Sequence, residues 1–136
     1  MTYIGIDPGT NTGLAVWDSG RRMLTLCETM KIHQALREVD IQFSINPGNV
    51  IVIFEDARQR KWYSGDSNAK IQGAGSIKRD CTIWEDFCKD RGIPFQAVPP
   101  GKGMTKVTPE YLRMVTGWTG RTSNHARDAA MLVIGR

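Results

Sequence analysis

The sequence lacks any apolar run near the roughly 20 residues that span a bilayer, so no membrane partner is expected. Its opening, Met1-Thr2-Tyr3-Ile4, has no basic stretch ahead of an apolar one, so no secretory leader is expected either. Cysteine is scarce and odd in number: Cys27, Cys81 and Cys88, with no CxxC and no Cys/His cluster. That argues against both a disulfide framework and a structural zinc site. Cys81 and Cys88 lie seven apart on one face of an expected helix and read as small buried hydrophobes in a reducing cytoplasm. No repeat, low-complexity tract or interdomain linker interrupts the chain. What is present is 136 residues, 40% hydrophobic and 24% charged, enough for a single domain (1–136) with its own core.

The formal charge of +4 is not spread evenly. Residues 56–106 hold ten Lys/Arg against six Asp/Glu, and the remainder holds eight of each. A basic field confined to the middle of the chain points to an anionic partner, nucleic acid first, with a merely solvated face as the plain alternative.

Hydropathy patterning predicts the elements. Tyr3–Asp7, Leu14–Trp17 and Met23–Met30 read as strands joined by the turn-forming stretches Pro8–Gly13 and Asp18–Gly20. Ile32, Ala35, Leu36, Val39 and Phe43 mark one face of a helix that Asn46-Pro47-Gly48-Asn49 stops. Val50–Phe54 is a continuous apolar run of the kind that forms a strand covered on both faces. Residues 57–73 read as a loop. A second helix is expected from about Ala74 to Asp90, with Ala74, Ile77, Cys81, Trp84 and Cys88 as a stripe that either covers the sheet or forms a dimer interface. A fifth strand is expected at Ile93–Val98, a short helix at 109–116, and a last helix at His125–Ile134 capped by Ser123 or Asn124. A three-stranded meander followed by strands joined through helices predicts an α/β fold with a mixed five-stranded sheet, three strands antiparallel and then two parallel.

Three acids sit where the backbone can aim them. Asp7 ends the first strand, Glu55 ends the apolar fourth, and Asp128 lies near the start of the last helix. If the first and fourth strands are neighbours, their ends bring Asp7 and Glu55 together, and the last helix can add Asp128. Three close carboxylates repel one another unless cations neutralise them, and carboxylate oxygens suit Mg²⁺ or Mn²⁺. Two such ions roughly 4 Å apart clamp a scissile phosphate in two-metal hydrolysis. His125, three residues before Asp128, shares its helical face. From spacing alone a locally bonded histidine is the favoured reading, with a metal ligand or water-positioning base as the sharper one. Asp18 fits a turn, and Asp56 points to the opposite strand face from Glu55.

Ile4-Gly5-Ile6-Asp7-Pro8-Gly9-Thr10-Asn11-Thr12-Gly13-Leu14-Ala15 resembles the opening motif of the RuvC family of Holliday-junction resolvases. Phe54-Glu55 resembles its second acidic strand end, and His125-Ala126-Arg127-Asp128-Ala129-Ala130 its C-terminal helix motif. Asn68-Ala69-Lys70 through Gly75 resembles the start of the family's long helix, and Val98-Pro99-Pro100 with Lys102 and Lys106 its basic loop. The ordered set is more specific than any one motif. The resemblance implies an RNase H-like fold, a homodimer in a bacterial cell or phage-infected host, and paired nicking of four-way DNA junctions. It implies metal ligands at Asp7, Glu55 and Asp128, with His125 as a fourth, two Mg²⁺ ions (Mn²⁺ as substitute), and phosphate contacts from Lys102 and Lys106.

The stretch Arg58-Gln59-Arg60-Lys61-Trp62-Tyr63 is more basic than the family pattern. Arg58, Arg60 and Lys61 are expected on backbone phosphates, which would make binding salt-sensitive. Trp62 or Tyr63 stacks on an exposed base, or Trp62 packs on the domain's own core, two readings of equal standing. This departure leaves open a broader branched-DNA nuclease of phage type. Three other readings compete: a non-catalytic junction-binding protein, a sugar-kinase or actin-like ATPase, and an RNase H acting on RNA–DNA hybrids. The ATPase would need two such domains, and one chain of this length is too short for them.

Overall fold

The computed structural model describes residues 1–60, 68–101 and 106–136, with the backbone alone for 68–74. Strands β1 (Thr2–Asp7), β2 (Asn11–Asp18) and β3 (Met23–Lys31) form the meander. Its first turn is held by the Thr12 hydroxyl, which donates to the Gly9 carbonyl at 2.7 Å. Its second is held by the Asp18 carboxylate, which accepts from the amides of Gly20 and Arg21. Then follow α1 (Ile32–Ile45), β4 (Val50–Glu55), a single 3-10 turn at Ala57–Gln59, α2 (Asn68–Arg91), β5 (Phe95–Val98), α3 (Pro109–Thr116) and α4 (Asn124–Met131). The sheet order is β3-β2-β1-β4-β5. The pairs β3–β2 and β2–β1 are antiparallel, and β1–β4 and β4–β5 are parallel. This is the mixed sheet that the sequence predicts.

Several boundaries differ from expectation, among them β2, which begins at Asn11 rather than Leu14. Helix α2 begins at Asn68, inside the stretch that patterning reads as a loop but where the family resemblance places the long helix's start. Glycine and polar residues there lower local helix propensity, which hides a start that the apolar stripe cannot mark. β5 begins at Phe95 rather than Ile93 because Pro94 has no amide to donate, although its carbonyl still accepts from Val52 at 2.9 Å. α4 ends at Met131, and the chain continues in tight turns such as Val133 N–H to the Ala130 carbonyl.

Side chains alternate across the sheet, so its two faces separate by residue parity in β1 and β4. Ile4, Ile6, Val52 and Phe54 face α1 and α2, where they pack with Ala35, Val39, Cys81, Trp84 and Cys88. Tyr3, Ile51 and Ile53 face the other way, with Leu112, Ala126, Ala129, Ala130 and Val133. Cys81, Trp84 and Cys88 are fully buried. The Cys81, Trp84 and Cys88 part of the α2 stripe therefore covers the sheet, while Ile77 at its start is 40% exposed. Truncating Trp84 to alanine would cost about 3–5 kcal/mol.

Helix α4 approaches the sheet more closely than ordinary side chains allow. A Cβ on Gly13 would overlap the His125 carbonyl, and one on Gly5 would overlap the Ala129 carbonyl. Both glycines are interior to strands, where a missing side chain marks close approach of another backbone. The facing residues of α4 are alanines, so the helix backbone lies almost on the sheet.

Candidate functional site

The parity that sends Tyr3 and Gly5 toward α4 also sends Asp7 there, and the parity of Ile51 and Ile53 does the same for Glu55. The parallel β1–β4 register runs to Ile6 opposite Phe54, so Asp7 and Glu55 are the next residues along neighbouring strands. On the antiparallel side Asp7 pairs with Gly13, the glycine under the His125 carbonyl. The same glycine seat thus fixes the start of α4 beside the end of β1.

Serine 123 caps α4, its hydroxyl accepting from the Ala126 amide at 3.2 Å. That hydroxyl also meets Thr29 of β3, which ties the helix start to the sheet. The result carries His125 to Asp7, with Nδ1 at 2.8 Å from Oδ2. His125 is thus bonded across the fold to Asp7 rather than within its own helix. Nε2 is left as the ring nitrogen open to other partners.

Asp7, Glu55, His125 and Asp128 line one cavity of about 420 Å³, together with Arg60 and Lys106. Burial pushes the Asp7 carboxyl above its ordinary range, and the nearby Asp128 adds to the rise against the hydrogen bond from His125. Glu55 is raised as well, first by burial and then by repulsion from Asp7 and Asp128. Lys106 donates to Asp128 Oδ2 at 2.6 Å. The Asp128 hydrogen bond raises the Lys106 ammonium above the usual lysine range, with Asp7 and Glu55 adding to the attraction.

The donor set suits a hard divalent cation: three carboxylates and one imidazole, with acids whose mutual repulsion a cation would relieve. In the present arrangement no three such side chains converge on a common point among the described residues. Asp7 is turned to His125 and Asp128 to Lys106.

The basic residues divide. Arg58 is not presented freely to a phosphate. Its guanidinium lies on the opposite side of the β4 end, bonded to Asp56 (Nε to Oδ1, 2.8 Å) and to Glu85 (Nη1 to Oε2, 3.2 Å). Burial alone would raise the Asp56 acid, but the bonds from Arg58 and Gln59 outweigh it and hold it low. A phosphate would have to share Arg58 with both carboxylates. Arg60 and Lys106 line the cavity. Lys61, Trp62, Tyr63 and Lys102 lie outside the described residues.

Sequence reasoning missed two features. Gly13 read as a turn former, yet it lies in β2; a glycine inside an apolar strand was the available signal. Arg127 had no role assigned. It is 7% exposed and donates to the carbonyls of Val107 (2.7 Å) and Thr122 (2.6 Å), to the Thr122 hydroxyl and to the Asn124 side-chain oxygen. It therefore staples the segment carrying Lys106 to the start of α4.

This arrangement of sheet and helices matches a solved structure of T. thermophilus RuvC in complex with Holliday junction substrate. The TM-score is 0.63 at 21% identity, over 98% of this chain and 91% of that one. The chain has a RuvC-like fold. Its mixed sheet and flanking helices are those of the RNase H-like α/β class. No family model matches the sequence, and no curated protein matches it. Among the described residues, no helix of this RuvC-like fold is long and apolar enough to cross a membrane.

Proposed function

We propose that this chain is a divalent-metal-dependent endodeoxyribonuclease that resolves four-way DNA junctions by paired nicks, as a homodimer in the cytoplasm of a bacterial cell or phage-infected host, in DNA recombination and repair. The observation that carries the reading is that Asp7, Glu55, Asp128 and His125 line one cavity. The likeness of fold to a RuvC bound to a junction substrate supports it.

In this reading Asp7, Glu55 and Asp128 would hold two Mg²⁺ ions, or Mn²⁺ in their place, and His125 would serve as the base rather than as a fourth ligand. When bound, the ions supply water activation and stabilisation of the leaving 3′ oxygen. Asp7 orients the His125 ring through Nδ1, which leaves Nε2 to position the attacking water and take up its proton. Arg60, Lys61, Lys102 and Lys106 hold backbone phosphates, and Trp62 or Tyr63 stacks on an unpaired base. The role of Arg58 is to fix the start of this basic stretch through Asp56 and Glu85. One chain carries one such site, so symmetric nicking of a two-fold junction needs two copies.

The test is cleavage in Mg²⁺ of a labelled four-way junction beside linear duplex, a Y-fork and an RNA–DNA hybrid, with Asp7→Asn as control. Preferential junction cleavage that the control lacks is the expected result. Preference for the hybrid would make the chain an RNase H. Junction binding without cleavage in Mg²⁺ or Mn²⁺ would make it a binding protein.

A further inference from the structure

Lys106 is a cation already seated among the carboxylates proposed to bind metal. Its ammonium touches Asp128 at 2.6 Å, while the lysine side chain remains 67% exposed. Asp7 and Glu55 both feel the same charge. The backbone beside it is fixed, because the buried Arg127 guanidinium holds the Val107 carbonyl at 2.7 Å. Arg127 has neutral acceptors from Thr122 and Asn124 for its other bonds, so it does not compete for Asp128. The long, exposed lysine stem is thus free to turn while its attachment point stays at the cavity wall.

We infer that Lys106 is a built-in counter-ion that a divalent cation displaces from Asp128, so that metal loading releases the ammonium into the cavity to hold a phosphodiester oxygen. This deepens the proposed function and rests on its metal site. An ammonium and a divalent cation repel each other at contact distance, so a metal ion that takes Asp128 Oδ2 opposes the Lys106 contact there. The linkage is reciprocal: removing Lys106 strengthens metal binding by the factor with which Lys106 opposes it. For a pair whose lysine is 67% exposed that factor is about 1.5-fold to fivefold. The exchange also gives an order to assembly, because the empty site keeps its phosphate-binding lysine engaged until the ions arrive.

The test reads the amine itself rather than cleavage. The full chain is treated briefly with an acetylating reagent, and modification of Lys106 is quantified by peptide mass spectrometry against Lys89. This is done without metal, with saturating Ca²⁺, and for metal-free Asp128→Asn. Calorimetric Ca²⁺ titration of the wild type and Lys106→Gln runs in parallel. Slow Lys106 acetylation in the metal-free wild type, rising with Ca²⁺ to the rate of metal-free Asp128→Asn, is expected, with tighter Ca²⁺ binding by Lys106→Gln. Calcium binding that leaves the Lys106 rate unchanged would overturn the exchange and leave the metal site standing. Equal rates in metal-free wild type and Asp128→Asn would overturn the ion pair. No calorimetric binding of Ca²⁺ to either protein would overturn the metal site and the exchange together.

Discussion

Gly13 of β2 lies directly beneath the carbonyl of His125, the second residue of α4, and no side chain can be added between them without moving the helix. The catalytic proposal rests on this contact, since the same strand position pairs with Asp7.

Replacing Gly13 with alanine should therefore damage stability and site together. Overpacking against backbone costs about 1–3 kcal/mol, read as a lowered urea midpoint, and junction cleavage should fall with it. Gly75→Ala, on α2 with open space around the added methyl, is the control. It should stabilise by about 0.5–1 kcal/mol, as alanine does over glycine in a helix. Equal behaviour of the two variants would contradict the seat.

Glu55→Gln should separate stability from function. The glutamate is raised by burial and by its acidic neighbours, so the neutral amide removes a strain from the metal-free fold. Thermal denaturation in EDTA should show a melting temperature equal to or above wild type, while cleavage drops by more than roughly 100-fold, beyond the usual effect of an outer-shell partner. A variant that melts lower and still cuts would place Glu55 in structure rather than in the site.

The pH dependence of the metal-free protein follows from the same groups. Asp7 and Glu55 have carboxyl pKa values raised on folding. Their contribution favours the folded state below the ordinary carboxylate range and is lost as pH climbs through the raised values. Asp56 has the opposite sign: held low in the fold, it stabilises above the ordinary range and loses that effect as pH falls through its depressed value. Denaturant midpoints measured from about pH 3 to about pH 7 should rise and then fall slightly. Glu55→Gln should flatten the falling limb and Asp56→Asn the rising one. Unaltered limbs would contradict the assignments.

Arg127→Met should cost roughly 2–3 kcal/mol, since a buried charged donor serves four acceptors. Arg127→Lys should recover only part of this, because one ammonium cannot reach two separate segments as a planar fork does. Hydrogen exchange should be faster in 106–108 for both variants. A change confined to α4 would show that the staple does not hold the Lys106 segment.

Much of this was legible before any coordinates. The strand ends already put Asp7 beside Glu55 on the condition that β1 and β4 are neighbours, and alternation put Asp56 on the opposite face from Glu55. His125 and Asp128 shared a helical face for the same kind of reason. The hidden parts depend on contacts distant in sequence. Gly13 is adjacent to turn formers, so its role as a helix seat appears only once α4 is in place. Arg58 looked available because one of the two acids that engage it, Glu85, is 27 positions away on α2, and the bond to the nearby Asp56 shows only in the folded turn. Lys106 and Asp128 meet, 22 positions apart in sequence, where Arg127 ties one segment to the other.

The most direct measurement is nick mapping on a four-way junction, labelled on each strand in turn and incubated with Mg²⁺. The account predicts two nicks on opposed strands at symmetry-related positions near the branch point, absent with Asp7→Asn. Intact strands in both Mg²⁺ and Mn²⁺, or unpaired nicks scattered along the duplex arms, would contradict it.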